Sequence, residues 1–248
     1  NQIQKSSPKP VVEAKYETVL DEKLLVQWVK KLTNSKTFSF DTETTSLDYM
    51  EAELVGISFG IEPGIAAYIP IGHVEGEKQK NQLPLDKVLS EIKPLLESKD
   101  RVKVGQNLKY DINILSNYGI NVSPPYVDTM LQSYVLNSVA TRHNMDDMAR
   151  HYLGRDTIHF EDVAGKGAKQ ILFSQVSIDV AGEYAAEDAD VTLQLHQDLS
   201  GSIDEVPSLQ HVLNEIETPL VSVLAKVERN GALVNADMLL KQSKELGN

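Results

Sequence analysis

The stretch FSFDTETTSL, residues 38–47, places two carboxylates directly after a short apolar run. Side chains alternate between the two faces of a strand, so Asp41 and Glu43 share one face and the two phenylalanines share the other. Two carboxylates at such a short separation repel each other, and desolvation is unfavourable for each unless a cation lies between them. The pair is therefore either solvated at a strand end or part of a metal site, and the motif alone leaves both interpretations open.

The composition is that of a globular protein with one large domain, or one domain and part of another. The chain has 248 residues, of which 41% are hydrophobic and 24% charged, enough to bury a core. It has no cysteine, which excludes disulfides, thiolate metal sites and cysteine nucleophiles and favours a reducing cytoplasm. No apolar run has the length of a membrane helix. No sequence feature indicates an oligomer.

The chain opens on NQIQKSSPKP, which has neither an initiator Met nor the apolar centre of a signal peptide. We interpret residues 1–15 as a flexible leader at a cut inside a longer protein. The formal net charge is −12, which argues against a broad basic face that binds duplex nucleic acid. An enzyme that holds a short single-stranded end through metal ions is compatible with this charge.

The hydrophobic pattern predicts strands first and helices afterwards. Strands are predicted at TFSFD, ELVGISFGIE, IAAYIPIG and RVKVG, the first three forming an antiparallel meander with a turn at Glu62-Pro63-Gly64. Helices are predicted over 21–32, near 84–98, at LKYDINILSNYG and in several segments after Pro124, including a long one from about Ser177 to Leu199. This order predicts an α/β fold with a mixed five-stranded sheet covered by helices, followed by a C-terminal helical tail over 207–248.

A second polar motif, VGQNLKYD, follows the fourth predicted strand. Asn107 and Asp111 are four residues apart, so they lie one above the other on the first turns of a helix. A common alternative is that Asn107 caps this helix and Asp111 only interacts with its positive end.

A third motif, EYAAEDADV, lies in the long helix. Tyr184 and Asp188 are four residues apart and share a face, whereas Glu187 and Asp190 are expected to point elsewhere into solvent. The alternative is a tyrosine packed at the sheet edge with a surface aspartate beneath it.

Together the three motifs form a pattern that none of them forms alone. Their four acids are expected to converge at the open end of the first and fourth predicted strands, where a mixed sheet leaves a crevice. Convergent carboxylates without His or Cys favour the hard cations Mg²⁺ or Mn²⁺. Two such ions roughly 4 Å apart can activate a water and stabilise the leaving oxygen of a phosphodiester.

At these residues the sequence resembles the 3′→5′ proofreading exonuclease domain of bacterial DNA polymerase I, part of its Klenow fragment. The resemblance rests on FDTETTSL, VGQNLKYD and YAAED, and on LVGISFGIEPGIAAYIPIGH, DTMLQSYVLNS, AGKG and YAAEDADVTLQLH. It covers essentially the whole chain, and ETPLVSVLAKVERNG resembles the segment that leads into the polymerase domain. It implies an exonuclease domain over 16–206 and the start of a polymerase domain over 207–248. Such a chain is not expected to extend a primer.

The resemblance implies a ribonuclease H-like fold and the site of the DEDD nucleases with tyrosine. These enzymes hydrolyse the 3′-terminal phosphodiester of DNA with two divalent cations, here expected to be Mg²⁺ or Mn²⁺ with Zn²⁺ as a further option, and release nucleoside monophosphates. Carried over, Asp41, Glu43 and Asp188 hold the tighter metal. Asp41 bridges to the second metal, and Asp111 supports it partly through water. Tyr184 and Glu43 orient the attacking water.

The resemblance also implies substrate-binding residues and partners. Leu47 and Phe160 match residues that wedge against or stack on the terminal bases, although a core position is an open alternative for both. The other residues expected near the bound strand are Thr44, Gln106, Asn107, Tyr110 and Arg142, and Arg142 has the alternative of a plain surface cation. The implied partners are a single-stranded or frayed 3′ DNA end and the polymerase domain of the full-length chain, in the cytoplasm at the bacterial nucleoid.

Two other functions remain open at this point. The domain could be a catalytically silent DNA-binding or scaffold module, which would bind DNA without hydrolysing it in the presence of divalent cations. It could also be an RNA-trimming exonuclease similar to ribonuclease D, because these active-site residues do not by themselves discriminate against a 2′-hydroxyl.

Overall fold

Six strands form one mixed sheet in a computed structural model that describes residues 13–74 and 81–247. Their spatial order is β1-β4-β3-β2-β5-β6. The strands are β1 (Lys15–Thr18), β2 (Thr37–Thr44), β3 (Leu54–Glu62), β4 (Ile65–Pro70), β5 (Val102–Gly105) and β6 (Tyr126–Asp128). Strands β2, β3 and β4 form the predicted antiparallel meander, while β1, β5 and β6 join it by parallel pairing. The predicted fold class is confirmed, and the sheet has six strands rather than five.

The hydrophobic pattern does not predict β1 and β6, which have four and three residues. Segments that short carry too few alternations to predict a strand, so only pairing with an existing sheet edge makes them strands. Residues 1–12 of the predicted leader lie outside the described residues, and Lys15 is already the first residue of β1.

Helices cover both faces of the sheet. They are α1 (Glu22–Asn34), α2 (Leu85–Leu96), α3 (Leu108–Asn117), α4 (Thr129–Leu136), α5 (Met145–Met148), α6 (Phe160–Ala164), α7 (Ile178–Asp204), α8 (Pro207–His211), α9 (Thr218–Asn230) and α10 (Ala236–Leu246). Short π-helical turns follow α5 and α8, at Ala149–Leu153 and Val212–Glu217. Among the described residues, no helix is both long and apolar enough to cross a membrane.

The main core lies between the sheet and α1 and α2. The two phenylalanines of β2, Phe38 and Phe40, are fully buried there, as the alternation along the strand predicts. Other fully or almost fully buried members of this core are Leu25, Trp28, Leu32, Ile57, Phe59, Ile92 and Leu96. This apolar layer fixes β2, so the opposite face of the strand is held in a defined position.

Helix α7 packs on that opposite face. The Ser39 hydroxyl donates a 2.5 Å hydrogen bond to the carbonyl oxygen of Ala189. A Cβ atom on Gly60 of the neighbouring strand would lie 3.0 Å from the same oxygen, so glycine permits this close approach. The contact brings residue 188 of the helix to the end of β2, where Asp41 and Glu43 lie.

The C-terminal helices contact the rest of the chain mainly through α9, which packs on α3. Lys109 forms an ion pair with Glu228, and the Arg229 guanidinium donates 2.9 Å hydrogen bonds to the Asn113 carbonyl and the Asn117 side chain. Helix α10 has no buried residue. The tail also packs on α7 and α4 through α8 and the π-helical turn after it, and its contact with α3 reaches the helix that carries Asp111.

Candidate active site

Three carboxylates meet where β2 ends against α7. Asp41, Glu43 and Asp188 each offer an oxygen, and the three oxygens lie within 4.8 Å of one another. Glu43 and Asp188 are buried, while Asp41 keeps part of its surface exposed. A group of three carboxylate oxygens with no His or Cys is the donor set of a hard cation such as Mg²⁺ or Mn²⁺. The residues present therefore fit a divalent metal ion.

Asp111 lies directly behind this cluster. Its Oδ1 accepts hydrogen bonds from the backbone N–H of Thr42 at 3.0 Å and from the Thr42 hydroxyl at 2.5 Å. No hydrogen bond to Oδ2 is formed within the described residues, so this oxygen is available to a ligand. Helix α3 thus directs the Asp111 carboxylate towards β2 rather than towards solvent.

Asn107 occupies the N-cap position of α3 but does not cap the helix with its side chain. It has left-handed backbone angles, φ 57° and ψ 46°, and forms no side-chain capping bond. The free N–H groups are bound instead by Asp128, whose carboxylate accepts from the backbone of Asn107 at 3.1 Å and of Leu108 at 2.8 Å. Sequence reasoning missed Asp128. Its position before α4 predicts a cap for that helix, which it also is, but not the bonds to α3.

Burial and mutual repulsion govern the protonation of the cluster. Burial raises the pKa of Asp41 from 3.8 to about 7. For Glu43, Asp111 and Asp188, burial and then the charge of Asp41 raise the pKa well above its ordinary value. Four acids that resist ionisation so close together need positive charge to be ionised at neutral pH. The electrostatics therefore agree with the donor geometry.

Tyr184 lies one helical turn before Asp188, and its phenol is close enough to the Asp188 carboxylate for that charge to act on it. Burial, followed by the charges of the acids, raises the pKa of Tyr184 above its ordinary range. Its ring packs against Phe173, with centroids 5.8 Å apart, and against Phe160 at 6.3 Å. The ring is thus fixed by aromatic packing, with its hydroxyl beside an active-site acid. Sequence reasoning missed Phe173, because a single Phe in a polar loop carries no periodic signal.

The prediction that Asp190 is solvated is wrong. The residue is fully buried, and its carboxylate accepts hydrogen bonds from the Tyr16 hydroxyl at 2.7 Å, the Gly64 backbone at 2.7 Å and the Gln194 amide at 2.9 Å. Helical spacing does point it away from Asp188, but that direction faces β1 and the β3–β4 turn instead of water. Asp190 therefore joins three elements of the fold.

The same prediction is wrong for Glu187, which is buried. Its carboxylate forms an ion pair with Arg155 and accepts a 2.6 Å hydrogen bond from the backbone of Ile158. These contacts hold the segment before Phe160 against α7, next to Asp188. Glu187 therefore has a structural role at the edge of the site.

Two of the predicted substrate-binding residues are joined to each other beside the acids. The Thr44 and Tyr110 hydroxyls lie 2.5 Å apart, and the Tyr110 hydroxyl also contacts the Ser46 carbonyl oxygen at 2.6 Å. Leu47 follows in the same loop and is 91% exposed. The core alternative for Leu47 is thus wrong, and its side chain is free to contact a ligand.

The remaining predicted substrate residues lie on other segments of the chain, with Phe160 at the start of α6. The Gln106 amide donates a 2.9 Å hydrogen bond to the His143 carbonyl oxygen, which places Gln106 beside the loop of Arg142. The Arg142 side chain is 87% exposed and lies 3.6 Å from Asp147. Phe160 is 37% exposed. The structure therefore brings the predicted acids and Tyr184 together, with the other residues on the surrounding surface.

The raised pKa of Asp41 predicts a pH-dependent stability of the metal-free protein. The folded state holds a proton on Asp41 up to about pH 7, whereas the unfolded chain releases it near 3.8. The folded state binds more protons in this window, so the free energy of unfolding falls as pH rises from about 4 to about 7. Asp41→Asn removes this contribution. In urea denaturation with EDTA, we expect a smaller loss of stability over that window for the variant than for the wild type.

The metal provides the control for this measurement. Saturating Mg²⁺ should raise the stability of the wild-type protein most at the upper end of the window, because it binds the ionised carboxylates. Equal pH slopes for Asp41→Asn and the wild type in EDTA would contradict the prediction.

Known proteins share both the sequence and the fold. The sequence profile of the 3′-5′ exonuclease family matches residues 16–204. The DNA polymerase I of Pseudomonas aeruginosa is 54% identical over 237 residues, which are 95% of this chain and 26% of that protein. The chain spans about a quarter of the length of such curated relatives.

Solved structures show the same architecture at low sequence identity. The POL domain of Pol1 from M. smegmatis, in complex with a DNA primer-template and dNTP, aligns with a TM-score of 0.71 and 18% identity over 93% of this chain and 35% of that one. Escherichia coli RNase D, an exoribonuclease, aligns with a TM-score of 0.64 and 15% identity over 86% of this chain and 51% of that one. With the profile match and the acidic cluster, these findings show that the chain belongs to the 3′-5′ exonuclease family of bacterial DNA polymerase I, a family of metal-dependent nucleases.

Proposed function

We propose that this domain removes nucleoside monophosphates from the 3′ end of single-stranded or frayed DNA, using two divalent cations, in a proofreading role. The observation that carries the proposal is the set of three carboxylate oxygens within 4.8 Å at the end of β2, with Asp111 behind them. When bound, the metal ions would supply a polarised water and stabilise the charge on the leaving oxygen. We propose Mg²⁺ or Mn²⁺, with Zn²⁺ as a further option.

The four acids would divide the metal ligation. Asp41, Glu43 and Asp188 would hold the tighter ion, because their oxygens already converge. Asp41 would also help to hold the second ion, and Asp111 would support that ion, partly by way of water. The Thr42 contacts to Oδ1 keep Asp111 in the orientation that this role needs.

Tyr184 and Glu43 would orient the attacking water. An unperturbed phenol has a pKa of about 10, so the hydroxyl suits orientation better than removal of a proton. The packing of its ring on Phe173 and Phe160 holds the phenol in place beside the acids.

Tyr184→Phe tests this role. The variant keeps the ring and loses the hydroxyl that would orient the water. One hydrogen bond to a charged or developing-charge group corresponds to about 10–100-fold in rate. We expect kcat to fall by that factor while KM stays near the wild-type value. A fall in kcat of less than threefold would mean that the hydroxyl contributes only to packing.

The surrounding loops would bind the strand without reading its sequence. Leu47 would wedge against the terminal base and Phe160 would stack on it, which any base permits. Five further residues would lie near the bound strand: Thr44, Gln106, Asn107, Tyr110 and Arg142. Because metal ions and stacking supply most of the binding, little basic surface is needed, and a net charge of −12 is tolerable.

Degradation of a 5′-labelled single-stranded DNA, resolved on a gel, tests the function. With Mg²⁺ or Mn²⁺ we expect a ladder that shortens from the 3′ end, and with EDTA an intact oligonucleotide. If the folded protein binds the oligonucleotide but leaves it intact with every metal, the domain is a scaffold or binding module instead. Template-directed extension of a primer by this chain would contradict its assignment as an exonuclease domain alone.

An RNA-trimming activity is the second candidate, supported by the fold likeness to E. coli RNase D. The two candidates differ in sugar preference. We expect a DNA oligonucleotide to be hydrolysed faster than an RNA of the same sequence under identical metal conditions. The reverse order would favour the RNA-trimming function.

We also propose that residues 16–206 form the exonuclease domain and 207–248 the start of a polymerase domain. Helix α7 ends at Asp204 and α8 begins at Pro207, which supports the boundary. Apolar side chains of α9, of α10 and of the segment between them are exposed, among them Val223, Leu233 and Leu240. The polymerase domain of the full-length protein, which would work at the nucleoid, is the partner we propose for them.

A further inference from the structure

A histidine and an aspartate form a pair at the rim of the acidic site. His159 Nδ1 lies 2.7 Å from Asp146 Oδ2, and the other Asp146 oxygen accepts a 2.7 Å hydrogen bond from the Thr157 hydroxyl. An ionised carboxylate only accepts, so the proton of this contact belongs to Nδ1. The His159 side chain is 42% exposed, and its Nε2 has no hydrogen-bond partner within the described residues. One ring nitrogen is thus fixed and the other is free.

The pair lies on the side of the site where Phe160 is. His159 directly precedes Phe160, whose ring is 6.3 Å from the ring of Tyr184. The charge of Asp146 is close enough to Asp188 to contribute to the raised pKa of that acid. The His159–Asp146 pair therefore lies beside the residue proposed to contact the terminal base.

The neighbouring guanidinium groups are already bound to acids. Arg150 lies 3.0 Å from Asp156 and 3.5 Å from Asp147, and Arg155 is paired with Glu187. His159 differs from these arginines, because its second nitrogen points to no protein acceptor. A phosphate oxygen accepts hydrogen bonds but cannot donate them, and with Nδ1 protonated, Nε2 donates only when the ring is positively charged. His159 can therefore donate a hydrogen bond from Nε2 to a phosphate oxygen only when its imidazole is protonated.

We propose that His159, in its protonated form and oriented by Asp146, donates a hydrogen bond from Nε2 to a phosphate oxygen of the DNA strand whose 3′-terminal base lies against Phe160. The inference rests on the proposed function. It makes His159 a substrate-binding residue and Asp146 a positioning residue. His159 and Asp146 are not part of the three acidic motifs. Neither is among the residues proposed above to bind the DNA strand.

The charges around His159 set the pH range of this contact. Its hydrogen bond to Asp146 and then the charge of Asp146 raise the pKa of His159, Asp162 raises it further, and Arg150 lowers it. The imidazolium therefore persists above the ordinary value of 6.5. The contact is present below the raised pKa and is lost as pH rises through it.

Steady-state hydrolysis of a single-stranded DNA at saturating Mg²⁺ tests the contact, with KM and kcat measured across neutral pH. For His159→Asn we expect KM to rise about tenfold at the acidic end, with kcat unchanged, and the difference from the wild type to vanish at the basic end. His159→Lys keeps a cation that does not titrate in this range. Its KM should stay low at the basic end, where that of the wild type rises.

Two further variants separate binding from structure. Asp146→Asn removes the charge that favours the imidazolium, so the rise in KM should move to lower pH. His151→Asn, an exposed histidine in the π-helical turn after α5, is the matched control and should keep the wild-type KM. A KM of His159→Asn equal to that of the wild type at every pH, or a loss confined to kcat, would overturn the proposal.

The test also distinguishes failure of the proposed function from failure of this inference. If the wild-type protein does not hydrolyse DNA, the same variants are compared by the binding of a fluorescently labelled oligonucleotide in Ca²⁺. The same pH-dependent difference in Kd would support the contact in a non-catalytic domain. Identical Kd values for the wild type and His159→Asn, or no binding by either, would overturn it.

Discussion

Replacing Asp188 with alanine is expected to lower the rate of single-turnover DNA hydrolysis by about 10³-fold or more. The carboxylate is one of the three whose oxygens converge within 4.8 Å. Its loss would remove a proposed ligand of the tighter ion. A bound metal contributes several kcal/mol of charge stabilisation, and each 1.36 kcal/mol corresponds to about tenfold in rate.

Glu183→Ala is the matched control for this experiment. Glu183 is an exposed acid on the same helix, and its removal changes the total charge equally, so we expect the wild-type rate. The fold of Asp188→Ala should remain intact, because its removal relieves repulsion among buried carboxylates. A folded Asp188→Ala protein with a rate within tenfold of the wild type would exclude Asp188 from the metal site.

Asp190→Ala is expected to reduce the free energy of unfolding by about 3–5 kcal/mol. The substitution would leave the Tyr16 hydroxyl, the Gly64 N–H and the Gln194 amide without their acceptor in a buried position. Asp190→Asn keeps one accepting oxygen, so its loss should be smaller. Urea denaturation measures both values, provided that the transition is two-state.

The same surface control serves here. Glu183→Ala should change the free energy of unfolding by less than about 0.5 kcal/mol. If the free energy of unfolding falls by less than about 1 kcal/mol in Asp190→Ala, water replaces the lost contacts. The contacts of Asp190 with β1 and the β3–β4 turn would then not contribute to stability.

Sequence and structure agree best where the signal is local. The apolar and polar alternation around Phe38 and Phe40 predicts which face of β2 is buried, and both rings are fully buried. The long helix was also predicted, although it extends to Asp204 rather than to Leu199. A residue's face within one element depends on the geometry of that element alone, so it can be derived from neighbouring residues.

The agreement fails where a residue's surroundings come from distant parts of the chain. The same helical geometry that places Asp190 off the Asp188 face does not reveal that Tyr16 lies there. Asp128 caps its own helix, as its position predicts, and also binds the backbone of Asn107. Neither contact leaves a periodic pattern in the sequence.

The residues and their spacing therefore predict the chemistry available to this protein: its three acidic motifs, their faces within each element, and the family that these motifs resemble. Which acids meet, and which are buried for structural reasons, depends on how the elements pack. The packing of α7 on β2, through Ser39 and Ala189, brings Asp188 to Asp41 and Glu43. The physical reason is that secondary structure follows from local sterics and periodicity, whereas burial and pKa depend on which distant surfaces pack together.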